Sequence, residues 1–229
     1  MPLVLFSHLT SPPARASNLV LKALNIPYKQ REIDTHKHDQ FDEYFQKVNP
    51  QHTIPTLQDG ELIMWDSHAI NTYLVNQYAK DDSLYPKNPK IRALIDQRLH
   101  FDSGVLFPAI PYMVNRIFFK KNLTSVTEGI ISSFEYRYNF VEKFLSGKNK
   151  YAVGNNITLA DFSFVTSLTT MHILVPIDQQ KYPLIKKYLE LLKSQLKSYE
   201  EINEKGLEEC NRRLKNANFM FLKEEIKTK

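Results

Sequence analysis

Apolar positions mix short strand-like and helix-like periods in the first eighty residues and follow long helical periods through almost everything after Pro89. Leu3 to Phe6 is a compact apolar run that predicts a strand. Ser11-Pro12-Pro13 then opens a helix carried by Leu19, Val20, Ala23 and Leu24 as far as Asn25. Tyr28 to Ile33 reads as a second strand, and Phe41, Tyr44, Phe45 and Val48 share one face of a second helix. Thr56-Leu57 and Leu62-Ile63 flank Asp59-Gly60, a strong hairpin signal, after which Asp66-Ser67 caps a helix containing Ile70, Tyr73 and Leu74. Further helices are predicted at about 90–119, 125–145, 158–172 and 183–196. Thr158-Leu-Ala-Asp161 reads as a capping box with a folding role.

The order β-α-β-α-β-β-α, parallel in its first half and a hairpin in its second, predicts a thioredoxin-like α/β domain over residues 1–80. A polar stretch with two prolines and no periodicity, residues 81–89, predicts the linker, and 90–229 an all-α domain. Ligands of such open sheets gather at helix N-termini beyond the strand ends.

Composition narrows the chemistry. Apolar residues are 42% and charged residues 24% of 229, the proportions of a folded globular chain. No apolar run reaches the ~18 residues needed to span a bilayer, and the start lacks a signal-peptide core, so the expectation is a cytoplasmic protein with no membrane partner. The net charge of +5 comes from Lys and Arg interspersed with Glu and Asp, which argues against nucleic acid. A single cysteine, Cys210, excludes an intramolecular disulfide, a Cys-x-x-Cys redox pair and a thiolate zinc cluster, and no metal is expected. Cys210 sits in a charged stretch and reads as incidental.

Four segments carry the chemistry: Ser11-Pro-Pro-Ala-Arg-Ala16, Asn49-Pro-Gln-His-Thr-Ile-Pro55, Asp66-Ser-His-Ala-Ile70 and Asn156-Ile-Thr-Leu-Ala-Asp-Phe-Ser163. Together, in this order and at these spacings, they resemble the insect delta and epsilon glutathione transferases. The Ser-Pro-Pro start, Asp81-Asp-Ser-Leu-Tyr-Pro86 and His100-Phe-Asp-Ser-Gly-Val-Leu-Phe107 tilt the resemblance toward epsilon.

The resemblance implies that Ser11 holds the sulfur of glutathione as a thiolate. The energetics agree with that role. Making a thiol that titrates near ~8.5 mostly anionic at neutral pH takes about two units, or roughly 2.7 kcal/mol. A hydrogen bond to a charged group contributes about 1.5 to 3 kcal/mol and a helix N-terminus about 0.3 to 1. For the rest of the tripeptide, the resemblance implies backbone recognition by Ile54 beside a cis Pro55, with Thr53 adjacent. Asp66 and Ser67 are expected at the γ-glutamyl end, His52 at the glycyl carboxylate and His68 in a steering role. Gln40 stands where the epsilon pattern often has a second His, with His36 and His38 nearby.

The electrophile is expected in an apolar cleft with Thr10 and the helix face Phe107, Ile110, Pro111, Val114 and Phe118, with Asn115 as its polar contact. Pro108 and Pro111 predict a bend in that helix. The resemblance further implies a homodimer that conjugates glutathione to xenobiotic, insecticide or lipid-peroxidation electrophiles or uses it to eliminate from or isomerise them, with a role in hormone synthesis as the alternative. A thiol–disulfide oxidoreductase needs a cysteine where Ser11 stands; a non-catalytic carrier of hydrophobic metabolites and an interaction module stay open.

Overall fold

A computed structural model describes residues 3–147 and 149–219. Four strands, β1 (Leu3–Ser7), β2 (Tyr28–Glu32), β3 (Thr56–Asp59) and β4 (Leu62–Trp65), form one sheet in the order β2-β1-β3-β4. β1 pairs parallel with β2 and antiparallel with β3, and β3 turns into β4 at Gly60, whose φ of +61° no residue with a Cβ adopts as readily. Helices α1 (Pro12–Ala23) and α3 (Ser67–Tyr78) cover one face of the sheet, with Leu5, Leu19, Leu57, Ile70 and Leu74 excluded from water between them. α2 (Glu43–Val48) covers the other face through a small cluster of Phe6, Ile33 and Phe45. This is a thioredoxin-like α/β unit followed by helices.

α2 is shorter than its sequence pattern predicts. Asp42 caps it by accepting from Tyr44 N and Phe45 N, so Phe41 falls in the preceding 3-10 turn, Asp39–Phe41. Phe41 and Tyr44 are each 51% exposed, and the expected common face reduces to Phe45 and half-buried Val48.

The helical part begins at α4 (Pro89–Phe101), capped by Asn88. It continues through α5 (Ala109–Val114), α6 (Glu128–Leu145), α7 (Leu159–Leu174), α8 (Pro183–Gln195) and α9 (Lys205–Asn216). The single helix predicted over about 90–119 is interrupted by two π-helical turns, Asp102–Leu106 and Asn115–Phe119, on either side of α5. Pro108 and Pro111 have no amide to give, and the backbone redistributes its bonds accordingly: Phe107 N donates to Asp102 O and Lys120 N to Asn115 O, both at 2.8 Å. α9 and the π turn before it, Glu200–Glu204, were not foreseen, because that stretch is so heavily charged that its few apolar positions carry little periodic signal.

α7 is the central helix, with nearly every residue buried. Three of its threonines are satisfied locally, Thr166, Thr169 and Thr170 donating back to the carbonyls of Phe162, Val165 and Thr166, whereas the buried Ser163 hydroxyl has no hydrogen-bond partner among the described residues. The Thr158–Asp161 cap is wired well beyond its own helix. Asp161 Oδ2 accepts from Thr158 N at 2.7 Å, while Oδ1 accepts from Ala152 N at 2.9 Å and from Tyr188 Oη at 2.7 Å. One carboxylate therefore joins α7, α8 and the loop before α7, as a folding role requires.

Arg15 ties α1 to the helical part. Fully buried, it donates from Nε to Asn203 Oδ1 (2.9 Å), from Nη1 to Leu9 O (2.7 Å), and from Nη2 to Thr166 O (3.2 Å) and Thr170 Oγ1. Burial pushes its pKa down, yet these neutral acceptors solvate the cation without a carboxylate. Gly206 of α9 packs directly onto this guanidinium stem and the Leu9 carbonyl.

Candidate active site

The site starts in the loop from β1 to α1. Ser11 N donates to His8 O at 3.0 Å, and Thr10 N donates to His8 Nδ1 at 3.2 Å. Because Nδ1 accepts, the ring proton sits on Nε2, which faces Asp34 Oδ2 at 3.8 Å. Burial lowers the His8 pKa more than the Asp34 charge raises it, so a neutral imidazole braces this loop. Ser11 is the N-cap of α1 (φ −88°, ψ 116°), its Oγ accepting from Ala14 N at 3.4 Å. Pro12 and Pro13 occupy the first two helical positions and have no amide hydrogens. The helix mouth therefore offers fewer backbone donors than usual, which makes the Ser11 hydroxyl the more important one.

Beside it lies a cleft of about 350 Å³ lined by Pro13, Thr53, Ile54, Pro55, Ser67, His68 and Phe107, together with Gln51, Trp65, Asp66, Asp102 and Ser103. The Ile54-Pro55 peptide is cis. Buried Asn49 shapes this loop: its Nδ2 donates to Thr53 O (3.1 Å) and Thr56 Oγ1 (2.9 Å), and its Oδ1 accepts from Gln51 N. Asp66 holds φ at +72°, which is strained for a residue with a Cβ, and accepts from His68 N (2.8 Å) and Ala69 N (3.2 Å). Ser67 is buried at the same helix start.

His68 reaches across the cleft, its Nε2 lying 3.2 Å from Asp102 Oδ2. The other oxygen of Asp102 is buried and has no hydrogen-bond partner among the described residues. Nothing local in the sequence marks Asp102 for this role; only the pairing of α3 with the π turn brings it into the cleft.

The loop carrying His36, His38 and Gln40 leans on an aromatic row. His36 stands edge-on to Phe118 at 4.7 Å, His38 lies 5.8 Å from Phe119 and 6.0 Å from Phe41, and Phe41 contacts His52 at 5.1 Å. His52 itself is exposed, with φ +47°. Burial pushes the His36 pKa down. The Gln40 Oε1 is buried without a hydrogen-bond partner among the described residues.

The apolar residues expected to share one cleft divide. Phe107 lines the polar cleft, whereas Thr10, Ile110, Val114 and Phe118 surround a separate cavity of about 40 Å³. α7 closes that cavity with Thr170, Ile173 and Leu174, and α9 with Cys210, Arg213 and Leu214. Pro111 and Asn115 are exposed and line neither space, because the bend that the π turns introduce carries them to the outer side. Cys210 is not incidental: its Sγ lies 3.5 Å from Thr10 O, on the cavity wall. Burial raises its pKa, with Arg15 opposing.

Comparison with known proteins agrees with this geometry. The family model described as Glutathione S-transferase, N-terminal domain matches residues 5–83, and that described as Glutathione S-transferase, C-terminal domain matches residues 134–195. Glutathione S-transferase 1 of Manduca sexta is 42% identical over 212 residues, 92% of this chain and 96% of that protein. Among solved structures, an epsilon-class glutathione S-transferase from the housefly, Musca domestica, superposes with a TM-score of 0.90 at 42% identity, covering 96% of this chain and 100% of the other. A glutathione transferase homologue from Drosophila mojavensis with bound glutathione gives 0.89 at 38% identity, covering 95% and 98%.

Proposed function

The chain belongs to the glutathione S-transferase family and is a glutathione transferase, and from that premise we propose that Ser11 donates a hydrogen bond to the sulfur of glutathione and keeps it a thiolate. The observation that carries this reading is the hydroxyl at the mouth of α1. One lone pair of Oγ accepts from Ala14 N, leaving the hydroxyl proton to be donated outward. The thiolate is the nucleophile, so its population sets the rate of attack on an electrophile.

In this reading the tripeptide lies along the cleft. Ile54 N–H and C=O meet its peptide bonds beside cis Pro55 and Thr53, while Ser67 and the α3 amides bind the γ-glutamyl carboxylate. Asp66 accepts from the ammonium, with His68 held against Asp102 at the same end. His52 takes the glycyl carboxylate, with Gln40 and the 36–38 loop behind it. The electrophile meets the side chains of Thr10, Ile110, Val114 and Phe118, whose present cavity of about 40 Å³ must widen to admit it.

The family's epsilon class is favoured by the housefly relative and by the quoted motifs, and detoxification of apolar electrophiles in the cytoplasm is the corresponding role. A homodimer, with residues 1–80 and 90–229 as two domains joined by 81–89, completes the proposal.

Ser11→Ala tests it. We expect the pKa of bound glutathione, followed by the ultraviolet absorbance of its thiolate, to rise by about one to two units, the equivalent of one charge-assisted hydrogen bond. Turnover of 1-chloro-2,4-dinitrobenzene at neutral pH should fall about 10- to 100-fold. An unchanged thiolate titration in a folded variant removes Ser11 from the mechanism.

A further inference from the structure

Among the described residues Arg15 is the only Lys or Arg that is buried, and every acceptor around it is neutral. Two backbone carbonyls, a threonine hydroxyl and the amide oxygen of Asn203 take its hydrogens, and no carboxylate lies against it. An unpaired charge is costly to bury, and an apolar side chain of similar length would fill the space at lower cost. A cation kept here calls for a use beyond packing.

Its place supplies one. Arg15 follows Ser11 by one helical turn, its N–H donating to Ser11 O at 3.0 Å, and its Nη1 donates at 2.7 Å to Leu9 O, two residues ahead of Ser11. The guanidinium thus stands behind the loop that presents the Ser11 hydroxyl, on the order of 10 Å from it. Cys210 Sγ, 3.5 Å from Thr10 O, already feels this charge, which works against the burial that raises its pKa.

The other ionisable groups packed around Arg15 are neutral or already paired. Burial pushes Tyr199, just before the π turn Glu200–Glu204, up to about 12, and His8 is a neutral imidazole. On α9, Arg213 is held by Asp34 and Glu209; on α1, Lys22 faces Glu201 at 3.8 Å. α7 offers only Thr166 O and Thr170 Oγ1. An uncompensated charge in such a low-dielectric interior acts over this distance far more strongly than it would in water.

We propose that Arg15 is a positioning residue for the reaction: without touching glutathione, its buried charge favours the thiolate at Ser11 while its hydrogen bonds fix the Leu9–Ser11 loop. This role rests on the reading of Ser11 given above.

Asn203→Asp, made in the full chain, tests the charge and keeps the shape. The new carboxylate replaces the amide oxygen 2.9 Å from Arg15 Nε and cancels the field. The pKa of bound glutathione should rise by about 0.5 to 1 unit, so that turnover of 1-chloro-2,4-dinitrobenzene falls about 3- to 10-fold near pH ~6.5 and little near pH ~9. Thr169→Val removes the bond that Asn203 Nδ2 gives to Thr169 Oγ1 at 3.2 Å without changing any charge, and should move that pKa by less than about 0.2 unit. Arg15→Lys should stay closer to wild type than Arg15→Met. The rate at which iodoacetamide alkylates Cys210, followed against pH, reports the same field without glutathione, and Asn203→Asp should raise this pKa too. A glutathione pKa unmoved by Asn203→Asp, whether or not that of Cys210 rises, or equal shifts in Arg15→Lys and Arg15→Met, overturns the role of Arg15. If Ser11→Ala leaves the titration unmoved while Asn203→Asp raises it, the serine reading fails and Arg15 stands.

Discussion

Arg213 of α9 grips Asp34, in the loop just after β2, with two parallel hydrogen bonds of 2.8 and 2.9 Å. This bidentate pair joins the loop after β2 to α9, and Arg213 also lines the small cavity beside Thr10. Burial pushes the Asp34 carboxyl up, but the hydrogen bonds and charge of Arg213 outweigh it and hold the group at about 2, below its ordinary 3.8.

A carboxyl depressed in the folded state stabilises above its unfolded pKa, and that contribution is lost as pH falls through the folded value. The pair should therefore contribute on the order of 2 kcal/mol at neutral pH, fading between about pH 4 and pH 2. We expect Asp34→Asn to lower the urea midpoint at pH 7, and the gap from wild type to narrow steadily on acidification through that window. A gap independent of pH assigns the effect to packing instead.

Gly206 has no room for a side chain. A Cβ there collides with the Leu9 carbonyl oxygen and comes within 2.6 Å of Arg15 Cδ. The colliding atom is backbone, so relief requires α9 or the Ser11 loop to move. Gly206→Ala is expected to destabilise by about 1 to 3 kcal/mol, lowering Tm by several degrees in calorimetry. A Tm equal to wild type contradicts the close packing.

Cys210 is the only thiol, which makes its titration easy to read. Its burial raises the pKa, so the thiol stays protonated at neutral pH. Reaction with a disulfide reagent should be at least about 100-fold slower in the native protein than in denaturant, reflecting both protonation and shielding. Its pH dependence should lie above that of a free cysteine, and rapid native reaction at neutral pH rejects this assignment.

Asp66 has two separable roles, a cap for α3 and a carboxylate for a ligand ammonium. Asn also caps and tolerates positive φ, but it carries no charge. Asp66→Asn should keep Tm within a few degrees and raise the KM for glutathione about 10-fold with little change in kcat. Asp66→Ala should also lose about 1 kcal/mol of stability. An unaltered KM in Asp66→Asn leaves capping as the residue's only task.

The order of strands and helices along the first eighty residues, the hairpin at Asp59-Gly60, the caps at Ser11, Asp66 and Thr158, and the helices near 125–145, 158–172 and 183–196 were legible because each depends on neighbours within a few positions. The 102–119 region was only partly so. Prolines announced a bend, but which residues it turned inward depended on the two π turns, and Pro111 and Asn115 went outward while Phe107 parted from Ile110. α9 was invisible for a related reason: its few apolar residues gain meaning only from the surface they meet.

By itself the chain determined local structure and the chemical groups offered at each helix mouth, since propensity, capping and periodicity act over a handful of bonds. What the tertiary structure alone decided was which distant groups meet. Arg15 on Asn203, His68 on Asp102, Cys210 on Thr10 and Arg213 on Asp34 join segments 34 to 200 positions apart. Such contacts leave no local signature, because burial and hydrogen-bond geometry arise only once the elements have packed.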